Sequence, residues 1–167
     1  MTMQKQIPYG NCQRISGNMF ILSLVGDARL ITQLAELERH LDDLTPVFKD
    51  IADDFRSNMD KVFANSGAFK GRSAWAPLSD QYASWKTSKV GSRPILVFSG
   101  DMRNSFTRKG PGHVCLISGD GLVIGSKDPK AHYHQAGTSK MPARKIVEMT
   151  EEQRRRWSNI IKKYLFE

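Results

Sequence analysis

The most regular feature of the chain is a series of apolar residues at alternating steps of four and three: Leu30, Leu34, Leu37, Leu41, Leu44, Phe48, Ile51 and Phe55. Met59 and Val62 prolong it. This period puts them on one face of a helix, with Glu36, Glu38, Arg39, Asp42, Asp43, Asp50 and Asp53 around the remaining surface. A continuous helix of about 38 residues would be a rod on the order of 55 Å long. Pro46 removes a backbone donor and crowds the preceding turn, which predicts a kink or break near Asp43 to Thr45. Thr45 is a candidate cap for a second helix with Pro46 at its first position. The apolar phase continues across Pro46, so a kink is expected rather than a separation.

Other segments carry different periods. Residues 1–17 mix polar residues with Pro8, Gly10 and Gly17 and read as a flexible N-terminal arm. Asn18 to Val25 is short, bulky and apolar, and is closed by Gly26-Asp27, as a buried strand would be. After the long helix, Gly67 to Ala76 reads as a loop. Ser79 can cap a short helix from Asp80 to Lys86 that brings Tyr82 and Trp85 to one face. Ser88 to Pro94 reads as a basic loop, Ile95 to Phe98 as extended, and Ser99 as the cap of a helix from Gly100 to about Thr107.

Two apolar runs, His113 to Ser118 and Leu122 to Ser126, flank Gly119-Asp120-Gly121, a strong hairpin signal. Ala131 to Pro142 is a loop or short helix, and the alternation from Arg144 to Met149 fits a strand. Thr150-Glu151-Glu152-Gln153 has the form of a capping box opening a terminal helix, with Trp157, Ile160, Ile161 and Tyr164 on its apolar face. The fold class that follows is α+β: an antiparallel sheet packed against one long, kinked helix, with short helices and a C-terminal helix. Residues 18–167 are expected to form a single domain, since 167 residues leave no room for two full cores.

The composition is that of an ordinary globular protein, and the longest apolar run, Met19 to Val25, is too short to span a bilayer. No charged head precedes an apolar stretch as a signal peptide requires, so synthesis and retention in the cytoplasm are expected. Cys12 and Cys115 are isolated from each other and read as reduced. The net charge of +8 is unevenly spread. Asp27 to Asn65 holds nine acidic and five basic residues, a balance of −4, which leaves +12 on the remainder. An acidic rod joined to a basic body suits charge-complementary assembly of identical subunits as well as it suits DNA.

Candidate chemistry is sparse. His132 and His134, and likewise His113 and Cys115, lie two apart, but neither pair has a recognised zinc spacing or an adjacent glutamate base. No nucleophile elbow, phosphate loop or helix-borne metal motif is present. We therefore expect no enzyme activity, no catalytic or metal-binding residues and no cofactor. Arg154, Arg155, Arg156, Lys162 and Lys163 on the terminal helix are the candidate DNA-facing residues, and support an alternative reading as a non-specific DNA-binding protein. Consecutive arginines point around a helix rather than along one stripe, so solvated surface or salt links to a neighbouring subunit's acidic rod explain them better.

Four segments in order carry a resemblance. They are Trp75-Ala76-Pro77-Leu78-Ser79 followed by Tyr82, Trp85 and Lys86, then Ile95-Leu96-Val97-Phe98-Ser99-Gly100-Asp101-Met102-Arg103-Asn104-Ser105. Val123-Ile124-Gly125-Ser126 comes third, and His134-Gln135-Ala136-Gly137 with Met141-Pro142-Ala143-Arg144 fourth. Together they resemble the virion morphogenesis and tail-completion proteins of Mu-like and related long-tailed phages. The resemblance implies a structural virion protein, made in the host cytoplasm and placed in the neck. There it would form a homo-oligomeric ring, expected to be a hexamer, that completes the tail and joins it to the head. Its partners would be a head-side connector and a tail terminator or tube protein, with DNA passing through the lumen and no membrane contact. The subunit-interface candidates are Tyr133, His134, Gln135, Gly137, Met141, Pro142 and Arg144. Tyr133 and Met141 would act as apolar anchors and Arg144 as a bidentate donor. Arg144 could equally hold the loop to its own domain through carbonyl groups.

Overall fold

The computed structural model describes residues 28–108 and 110–166. The expected N-terminal arm and the strand at Asn18 to Val25 lie outside them. The described fold is α+β, in the order α1 (Ala28–Asp42), α2 (Thr45–Ala64), α3 (Asp80–Val90), α4 (Asp101–Thr107), β1 (His113–Ile117), β2 (Leu122–Ser126), α5 (Pro129–Ala136) and α6 (Glu151–Phe166).

The long apolar seam becomes two helices with Asp43 and Leu44 between them. Pro46 offers no N–H to the preceding turn, and the break is then held by contacts from elsewhere. Leu44 N–H donates to the Gly119 carbonyl at 3.0 Å, and the Tyr164 hydroxyl donates to the Asp43 carbonyl at 2.9 Å. The cap is not Thr45. Leu44 holds the cap position, and the Asp43 carboxylate accepts from Thr45 N–H at 2.9 Å; hydrogen bonding from the Thr45 side chain, and then from its N–H, keeps the Asp43 pKa below the usual carboxylate range.

α2 is the spine of the core. Val47, Ile51, Phe55, Met59, Val62 and Phe63 are buried along it, against α4, α6 and the hairpin. Phe63 sits at the centre, edge-on to Trp75 with ring centroids 5.5 Å apart and 6.1 Å from Phe106. Gly67 (φ +97°) turns the chain off α2, and a side chain there would overlap the Trp75 indole. Val97, Met102, Ala131 and Ile146 complete the core.

The sheet is a two-stranded antiparallel hairpin with Leu116 opposite Val123 and Cys115 opposite Ile124. Ile124 packs on the core, whereas Leu116 and Val123 are exposed on the outer face. Of the other capping expectations Thr150 holds, its hydroxyl accepting from Gln153 N–H at 3.2 Å. Ser79 stands at the N-cap of α3 without a side-chain cap bond, and the cap position of α4 is Gly100 rather than Ser99, whose hydroxyl accepts from Asp101 N–H at 3.4 Å. Asp128, not foreseen as a cap, closes the start of α5 by accepting from Lys130 N–H at 2.9 Å.

Three local expectations need correction. α3 runs a further turn beyond Lys86 to Val90, because the break falls at Gly91 (φ +73°). Ile95 to Phe98 is a turn rather than extended chain, with Val97 N–H on the Pro94 carbonyl and Leu96 at φ +64°. Arg144 to Met149 is not a strand. Its alternation is real, since Arg144 and Ile146 are buried while Lys145 and Val147 are exposed, but the Arg144 N–H goes to the His134 carbonyl and the backbone bonds of 145–147 go to side chains. Gln135 Oε1 accepts from Ile146 and Val147 N–H at 2.8 and 3.0 Å, and Gln135 Nε2 donates to the Val147 carbonyl at 2.8 Å.

Candidate assembly surfaces

The loop after α5 is built from inside its own domain. Gly137 (φ +76°) closes α5, and a Cβ there would come within 2.8 Å of Ala143 N. Thr138 and Met141 bridge, with Thr138 N–H on the Met141 carbonyl at 2.9 Å, and Arg144 N–H returns to the His134 carbonyl at 2.7 Å. The buried Arg144 guanidinium donates to the Ala76 and Pro77 carbonyls at 2.8 and 2.9 Å. Burial lowers the Arg144 pKa and the nearby Tyr82 opposes the shift. Arg72 works in parallel, donating to the Lys145 and Ile146 carbonyls at 2.6 and 2.9 Å, while Trp75 Nε1 donates to Lys145 at 2.8 Å. Of the interface candidates, Arg144, Gln135 and Gly137 thus shape the loop, Pro142 is exposed on it, and Tyr133 is exposed on α5 just before it. Met141 is half-buried.

His134 lines a separate feature, a cleft of about 320 Å³ between α3, the turn before α4, and α5. Tyr82, Trp85 and Phe98 floor it: the Trp85 and Phe98 rings stack at 5.6 Å and 11°, and Tyr82 lies 5.4 Å from Trp85. Beneath them Lys86 is buried, its ammonium donating to the Arg93 and Pro94 carbonyls at 3.1 and 2.6 Å. Burial lowers the Lys86 pKa, with Arg93 adding to the shift. The His134 pKa is lowered by burial and by Arg144 against the pull of Asp128, which favours the neutral ring. Lys130 is the other cationic group of the lining, which contains no carboxylate. The sequence pointed to Tyr82 and Trp85. Phe98 joins them only because the positive-φ turn at Leu96 folds the segment back, a signal absent from periodicity.

The basic terminal helix divides into two parts. Arg156 is half-buried, its Nε 3.2 Å from Asp54 Oδ1 and its Nη1 3.3 Å from Glu152, and Trp157 Nε1 donates to Asp54 at 2.8 Å. Arg154, Arg155 and Lys162 are exposed; Lys162 stands two turns beyond Arg155 on one stripe, and Arg154 lies roughly 100° around the helix from it. Arg154 reaches Glu151 only at 3.7 Å, and Lys163 is exposed. The acidic residues divide in the same way. On α2, Asp53 pairs with Arg56, Asp54 with Arg156, and Asp60 with Arg103. On α1, Glu36, Glu38 and Asp42 make no ion pair among the described residues.

The histidines lie apart. His113 Nδ1 is 2.9 Å from the Ser105 carbonyl, Cys115 Sγ accepts from Arg56 at 3.2 Å, and His132 stands on the exposed side of α5 against Tyr133. Among the described residues no group of three or more His, Cys, Asp or Glu is placed to hold a metal ion. None of the described helices is long and apolar enough to cross a membrane.

A family model for phage virion morphogenesis proteins matches residues 25–166, a span that takes in every described element. Comparison with curated proteins and with solved structures finds no match in either.

Proposed function

The chain belongs to the phage virion morphogenesis family, and on that premise we propose that it is a ring-forming structural subunit of the neck of a long-tailed phage. In this reading it completes the tail, joins it to the head between a connector and a tail terminator or tube protein, and carries out no catalysis. The family match over almost the whole chain carries the reading. The uneven charge supports it, because subunits in a ring meet through two different surfaces that must complement each other. Arg154, Arg155, Lys162 and Lys163, exposed on α6, would face DNA in the lumen without reading its sequence. Tyr133, exposed on α5, and Pro142, exposed on the loop that Arg144 and Gln135 shape, would meet a neighbour.

The test is a phage with the gene for this chain inactivated. The expected lysate contains filled heads and separate tails under the electron microscope, and joining is restored by adding the purified chain. Intact virions at normal yield without the chain would overturn the proposal.

A further inference from the structure

Two surfaces on this chain are complementary and share no residue. One is the outer stripe of α1, where Ile31, Leu34, Glu38, Leu41 and Asp42 follow at helical spacing and are all exposed. At 1.5 Å per residue the stripe is about 16 Å long. The other is the cleft floored by Tyr82, Trp85 and Phe98, with Lys130 and His134 in its lining. The stripe is aliphatic with two carboxylates, and the cleft is aromatic with one exposed cation, Lys130.

The stripe cannot fill the cleft of its own chain while α1 packs on α6 and its C-terminal end is held by the Tyr164–Asp43 and Leu44–Gly119 bonds. Pairing α1 against α1 of another copy would bring Glu38 and Asp42 of both copies together with no cation on the stripe to offset them. Asp53, Asp54 and Asp60 of α2 are already engaged by Arg56, Arg156 and Arg103, so the carboxylates left for a neighbour include Asp50 of α2 and those of α1.

We propose that the outer stripe of α1 of one copy seats in the aromatic cleft of the next, Leu34 and Leu41 lying on Trp85 and Phe98, and Glu38 and Asp42 meeting Lys130. Each chain then offers a helix on one side and receives one on the other, the heterologous repeat that closes into a ring when the rotation allows. The inference rests on the ring reading above and names the contact that would build the ring.

The full-length chain, with a photoreactive phenylalanine derivative in place of Leu34, is irradiated at high protein concentration after its mass has been recorded by sedimentation. The expected inter-chain adducts map to Tyr82, Trp85 or Phe98 and fall at least tenfold when Trp85→Glu is added. Both positions are exposed, so folding is retained, and circular dichroism checks it. Adducts on α1 of the other copy, adducts elsewhere, or none would each overturn the contact. A closed multimer with adducts elsewhere would leave the ring reading intact. Joined virions lacking the chain would remove the ring reading whatever the adducts.

Discussion

α1 and α2 are two halves of one apolar seam, yet they have opposite fates. On α2 the seam is the core, with Val62 and Phe63 at 0% exposure. On α1 it is largely uncovered, with Leu34 at 55% and Leu41 at 53%. The periodicity is the same on both sides of Pro46. What differs is the neighbourhood: α2 is packed by α4, α6 and the hairpin, whereas among the described elements α1 packs mainly on the end of α6, where the Tyr164 and His40 rings meet tilted at 4.8 Å and 36°. An amphipathic pattern states that a face is apolar. It does not state which molecule covers it.

The comparison can be broken from the α2 side first. Phe63→Ala removes the ring that touches Trp75 and Phe106, and should cost about 3–5 kcal/mol in denaturant unfolding. A loss below about 1 kcal/mol would mean that α2 does not organise the core. A smaller effect is expected at Asp54→Asn, which loosens the tie of α2 to Arg156 and Trp157. The site is part-exposed, so about 1–2 kcal/mol is expected, and the double change Asp54→Asn with Arg156→Gln should cost less than the sum of the two singles. Tyr164→Phe deletes the hydroxyl bond to the Asp43 carbonyl. It should cost about 0.5–1.5 kcal/mol and raise amide hydrogen exchange in α1 more than in α2. If exchange rose equally in both helices, the two would be one cooperative unit. The mildest change is Leu34→Ala, expected within about 0.5 kcal/mol of the parent in the isolated chain. A loss as large as that at Phe63 would show that the α1 seam is covered within the chain after all.

Much of this was legible from residue order. The hairpin was written in Gly119-Asp120-Gly121, α6 in its Thr150 cap, and the core in the α2 seam, because each of those signals is local. The misreadings share one cause, which is that the deciding partner is distant in sequence. Arg144 to Met149 alternates as a strand does, but no described strand lies beside it, and Gln135, Arg72 and Trp75 take backbone bonds of 145–147 instead. Arg72 and Lys86 look like solvated charges in the sequence, yet both are buried and hold carbonyl groups. Arg144, read as holding either a neighbour or its own loop, is buried and holds the Ala76 and Pro77 carbonyls. Of the interface candidates, the sequence located the loop but could not separate residues that shape it, such as Gln135, from those it presents, such as Pro142. The cleft was half visible, since Tyr82 and Trp85 fall on one helical face, whereas Phe98 arrives through a turn at Leu96 that no apolar spacing announces.

The Gln135 amide has a consequence for how safely the chain can be crowded. An extended segment normally leaves a row of unpaired N–H and C=O groups that can template another chain. Here one side-chain amide occupies the Ile146 and Val147 N–H groups and the Val147 carbonyl, while Arg72 and Trp75 occupy the Lys145 and Ile146 carbonyls. With those groups taken, 145–147 has little left to offer an aggregating strand when many copies accumulate in an infected cell. Gln135→Ala should therefore raise the tendency to form intermolecular β-structure on concentration, beyond what its loss of stability alone would cause.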